Sequence, residues 1–107
     1  MQIYNKLVRD KIPEIIKNNG EEPVIRILND VEYKKELENK LLEEYNEVIN
    51  SSGMDRIEEL ADMLEIIKFL ALLEGKSLED VINTSNIKNE KRGSFKDKIY
   101  LEKVLKK

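Results

Sequence analysis

Between Asp30 and Glu74 the chain carries two long runs of helix-forming residues, and the only strong break in them is Ser51-Ser52-Gly53. A link that short leaves two consecutive helices little choice but to fold back on each other as antiparallel neighbours. The chain has 107 residues, 40% of them hydrophobic, so one domain over residues 1–107 is expected, small enough that some apolar surface calls for a partner subunit.

The remaining elements follow from local signals. Asp10 is expected to cap a short helix through Asn19, with Pro13 in its first turn and Gly20 as its stop. Residues 21–29 are rich in β-branched side chains and contain Pro23, which suits an extended connector or a short edge strand. Asn29 or Asp30 then caps a helix to about Asn50, and the next runs from about Met54 to Glu74, closed by Gly75. Ser77 with Asp80 resembles a capping box and starts a fourth helix that fades near Asn89. The fold class is therefore all-α: a bundle of about four helices around a central hairpin, completed by dimerisation.

Several chemistries are excluded by composition. Without cysteine there are no disulfides, thiolate metal sites or thiol nucleophiles, and without histidine there is no imidazole base. The start Met1 to Lys6 lacks the layout of a signal peptide and no apolar run reaches the length of a membrane span, so a cytoplasmic protein without a membrane partner is expected. Charge is strongly segregated. Residues 30–65 hold 12 acids against 4 bases, and residues 86–107 hold 8 bases against 3 acids. An acidic centre beside a basic tail disfavours a nucleic-acid polymer and suits a cation carrying a polyphosphate.

Four acids stand out by position. On a helical wheel Glu44 falls within the arc of Leu37, Leu41, Tyr45 and Val48, where a solubilising glutamate does not belong, and Glu47 lies one step to the side. The following helix has two apolar stripes: Ile57, Leu60, Leu64, Ile67 and Ala71 on one side, Ile66, Phe69 and Leu73 on the other. Glu59 and Asp62, with Asp55, extend the second stripe toward the helix N-terminus. Glu44 with Glu47 and Glu59 with Asp62 each have the three-residue spacing that places side chains on one face, and folding the hairpin converges the pairs. Four converging carboxylates repel unless a hard cation such as Mg²⁺ or Mn²⁺ sits among them. The second stripe is expected to face another subunit, giving at least a homodimer.

Leu42-Glu43-Glu44-Tyr45-Asn46-Glu47-Val48, followed by Glu58-Glu59-Leu60-Ala61-Asp62-Met63-Leu64, resembles the paired E-x-x-E and E-x-x-D motifs of the MazG-like nucleotide pyrophosphohydrolases, an all-α family that includes phosphoribosyl-ATP pyrophosphatase. Asn5 to Pro13 and Lys91 to Phe95 resemble the ends of a small subgroup of it, although the 11 residues between Glu47 and Glu59 are few for the family. The resemblance implies Mg²⁺-dependent cleavage of a nucleotide between its α- and β-phosphates, with Glu44, Glu47, Glu59 and Asp62 as the acidic ligands. Glu47 is the expected water-orienting carboxylate, with Glu44 also assigned to catalysis; Glu43 and Glu58 are possible stand-ins. Arg9, Lys11, Lys88, Lys91 and Arg92 are the phosphate-binding candidates, and Tyr45, Phe69 or Phe95 could stack on a base. Two other readings stay open: a non-enzymatic helical module whose acidic face binds a basic partner, and phosphoribosyl-ATP pyrophosphohydrolase activity.

Overall fold

The computed structural model describes residues 1–106 and contains four helices: α1 (Ile12–Asn18), α2 (Asp30–Ile49), α3 (Gly53–Leu73) and α4 (Leu78–Arg92). There is no strand among the described residues, so residues 21–29 are a connector. The fold is all-α, as the spacing of apolar residues and breakers predicts.

Local chemistry sets the helix starts. Asn29 caps α2: its side chain accepts the Glu32 N–H at 2.9 Å, and the Glu32 carboxylate accepts the Asn29 N–H in return. Ser77 and Asp80 form the same reciprocal pair at the start of α4, with Asp80 taking the role usually filled by Glu. Each pair satisfies two backbone donors that the first helical turn leaves free. The connector is anchored to α2 by Arg26, which donates to both oxygens of Glu32 at 3.1 and 2.7 Å. Gly75 follows the end of α3 with φ +74°, a left-handed conformation that a side chain would strain.

Helix α1 begins differently from expectation. Asp10 does not cap it: Lys11 occupies the N-cap position and no side chain bonds the first turn. The chain instead makes a turn at Asp10 and Lys11, with the Ile12 N–H donating to the Arg9 carbonyl at 3.0 Å. Arg9 is thereby left outside the helix.

The core is the α2–α3 hairpin. Ser51 and Arg56 brace its link, the Ser51 hydroxyl donating to the Val48 carbonyl at 3.1 Å and the Arg56 Nε–H to the Ser51 carbonyl at 2.9 Å. Leu37 of α2 and Ile66 of α3 are its buried hydrophobic residues. Helix α4 packs on α3 but not on α2. No helix among the described residues is long and apolar enough to cross a membrane.

One expectation is corrected here. Of the stripe expected to face another subunit, Ile66 is buried within the protomer, on the face of the half-buried Glu59, Asp62 and Phe69, and Leu73 alone stays exposed. The opposite stripe is the outer one, with Ile57, Leu60 and Leu64 all exposed. Periodicity shows that α3 has two apolar faces, but the link geometry decides which meets α2.

Candidate metal centre

The hairpin brings three of the four expected acids together. Glu44 from α2, and Glu59 and Asp62 from α3, each offer a carboxylate oxygen, and these oxygens lie within 4.8 Å of one another. Glu59 and Asp62 are one turn apart on α3, on the face that carries Ile66, so the contacts that bury Ile66 also aim the two carboxylates at α2. Glu44 is only 8% exposed, one of three buried residues among the described residues and the one charged group of the three. Its Oε2 is sealed from water and has no hydrogen-bond partner.

A carboxylate held this way resists ionisation. Burial, the hydrogen bond shared with Glu59 and the charges of Asp62 and Glu59 push the Glu44 carboxyl up to about 7, with Lys40 opposing the rise. Its proton is therefore lost near neutrality, within reach of displacement by a cation.

Two basic side chains reach toward this end of the hairpin from the N-terminal segment. Arg9 Nη2 donates to Asp62 Oδ1 at 2.6 Å, and Lys6 Nζ lies 4.0 Å from Glu43. Lys40 also approaches Glu43, at 3.8 Å. Glu43 is thus engaged by two lysines outside the converging trio. The Arg9 contact was not legible in the sequence, because it joins residues 53 positions apart.

The other candidate residues are dispersed. Glu47 is exposed on α2 and is not in the converging group. Glu58 is exposed. Lys11 is exposed beside α1; Lys88, Lys91 and Arg92 are exposed on α4, and none of these four forms a salt bridge among the described residues. Lys88 lines a shallow groove with Lys76, Thr84 and Ser85. Tyr45 and Phe95 are exposed, whereas Phe69 is half-buried with Lys68 Nζ 5.6 Å from its ring centre.

The donor set is entirely carboxylate oxygen, the ligand type that hard divalent cations take. Oxygens around Mg²⁺, at about 2.1 Å from the ion, lie at most about 4.2 Å apart. The three carboxylate oxygens, all within 4.8 Å of one another, are close enough together that one ion could be shared among them. The orphaned Oε2 is a buried acceptor for which a bound cation would be a partner.

Fold and site together define an all-α hairpin protein with a cluster of three carboxylates that could hold a metal ion. No protein-family model matches the chain, and no solved structure matches it. A protein of Mycolicibacterium smegmatis (strain ATCC 700084 / mc(2)155), described as an uncharacterized protein, is 54% identical over 43 residues, which is 40% of this chain and 44% of that protein. The chain therefore spans less than half the length of the curated relative it matches.

Proposed function

We propose that the chain is a Mg²⁺-dependent nucleotide pyrophosphohydrolase, with Mn²⁺ as a substitute ion, cleaving the α–β phosphoanhydride of a nucleoside triphosphate or related nucleotide. The observation that carries the proposal is Glu44: a buried carboxylate with an orphaned oxygen, converging with Glu59 and Asp62. The resemblance of residues 42–48 and 58–64 to the MazG-like motifs supplies the reaction class, and it favours house-cleaning of non-canonical nucleotides.

The cation, when bound, supplies charge neutralisation at the phosphates and a more acidic water. Glu44, Glu59 and Asp62 would hold it. Water oxygen attacks the α-phosphorus, the bond from that phosphorus to the bridging oxygen breaks, and pyrophosphate leaves with the electron pair. Glu47, one turn beyond Glu44 and outside the converging trio, is the carboxylate assigned to orient the water and take its proton. Arg9, already at the edge of the acids, is the first choice for a phosphate contact, since a guanidinium exchanges a carboxylate for a phosphate with the same fork geometry. Lys11, Lys88, Lys91 and Arg92 remain secondary candidates.

The product identifies the reaction. Purified protein with Mg²⁺ and a panel of standard, deoxy, damaged and phosphoribosylated nucleotides is expected to release pyrophosphate and a nucleoside monophosphate. Orthophosphate as the sole product, or pyrophosphate released at the wild-type rate by both Glu44→Gln and Asp62→Asn, would contradict the proposal.

A further inference from the structure

The protein itself lays a positive charge against the carboxylate cluster. Arg9 Nη2 donates to Asp62 Oδ1 at 2.6 Å, the hydrogen bond that ties the N-terminal segment to α3. The backbone of Arg9 is fixed on both sides. Leu7 and Val8 before it are half-buried, whereas residues 1–6 are exposed, and its carbonyl accepts the Ile12 N–H at 3.0 Å where α1 begins. Its side chain is less constrained, with 59% of its surface exposed. The guanidinium also leaves the cluster incompletely satisfied: Glu44, only 8% exposed, keeps an Oε2 without a partner. A guanidinium is broad and planar, whereas a divalent ion is compact enough to be shared among the oxygens of Glu44, Glu59 and Asp62, all within 4.8 Å of one another.

We infer that Arg9 is a built-in counter-ion that competes with a divalent cation for Asp62, and that cation binding turns its side chain from Asp62 toward the phosphates of an incoming nucleotide. The inference rests on the proposed cation site. Two positive charges drawn to one carboxylate repel each other at close range. By linkage, the cation weakens the Arg9 contact by the same factor that the contact weakens the cation. Because Leu7, Val8 and the turn into α1 hold its backbone, a displaced Arg9 stays at the mouth of the cluster with its donors free for a polyphosphate. The consequence is a favoured order of binding: the cation first, then the nucleotide. Lys6 is the internal contrast. It lies 4.0 Å from Glu43, which is outside the converging trio, so it adds positive charge nearby without occupying a ligand oxygen.

Calorimetric titration of the full chain with Mn²⁺ separates this competition from a general effect of charge. Arg9→Gln is expected to bind Mn²⁺ about fivefold or more tightly than wild type, while Lys6→Gln changes the affinity by less than about twofold. The NMR signal of the Arg9 Nε–H group supplies a readout independent of affinity. Saturation of wild type with Mg²⁺ is expected to move that signal to the position it has in Asp62→Asn without added ion. An Arg9→Gln affinity no tighter than wild type, equal tightening in Lys6→Gln, or an unmoved Arg9 signal overturns the competition and leaves the cation site standing. No Mn²⁺ binding by wild type, Arg9→Gln or Lys6→Gln removes the cation site and the inference with it.

Discussion

Glu44 concentrates the energetic conflict of this fold in one side chain. Its carboxyl is raised to about 7 from an ordinary value of 4.5, so the folded state binds this proton more tightly than the unfolded chain does. The resulting stabilisation is complete below pH 4.5 and is lost as pH rises through about 7. The loss is on the order of 3 kcal/mol. Denaturant melts should therefore show Glu44→Gln more stable than wild type at pH 8, by about 1–3 kcal/mol, with the advantage vanishing at pH 4. A Gln variant less stable than wild type at pH 8 in the absence of divalent ions would contradict the strained carboxylate. The Arg9–Asp62 pair behaves differently. Arg9 is exposed and the half-buried Asp62 still presents much of its side chain to solvent, so Arg9→Ala should change stability by no more than about 1 kcal/mol. Under the proposed function the same substitution should raise KM for the nucleotide at least tenfold; an unchanged KM would remove Arg9 from phosphate binding.

At the scale of elements, the helix starts and the hairpin carry the fold. Each reciprocal cap rests on a single short side chain, and Asn29→Ala and Ser77→Ala should each cost about 1 kcal/mol in denaturant melts. Additivity of the two is expected, since the caps belong to different helices and share no partner. These caps were legible in the sequence because a cap is local: Ser77 and Asp80 bond each other across three residues. The hairpin was legible for the same reason, Ser51-Ser52-Gly53 being the one break between two long runs. Helix α1 was less so, because the turn at Asp10 and Lys11 competes with capping and no nearby side chain resolves the contest. The site was legible to the extent that Glu44, Glu59 and Asp62 occupy apolar arcs of their own helices. What periodicity does not contain is the rotation of α3 against α2. Ile66 and Leu64 are equally apolar, and only the packed hairpin shows that Ile66 goes inside with the acids while Leu64 stays outside.

The whole molecule is an acidic hairpin carrying basic segments at either end, and under the proposed function a divalent ion would sit among its acids. A cation held by Glu44 would compete with its proton, so under the proposal apparent cation affinity should rise with pH through about 7. Calorimetric titration of the full chain with Mn²⁺ at pH 8 tests the carboxylate cluster most directly. Saturable binding, weakened at least tenfold in both Glu44→Gln and Asp62→Asn, is the expected result. No binding at millimolar Mn²⁺, or binding untouched by both substitutions, would contradict a cation site at Glu44, Glu59 and Asp62.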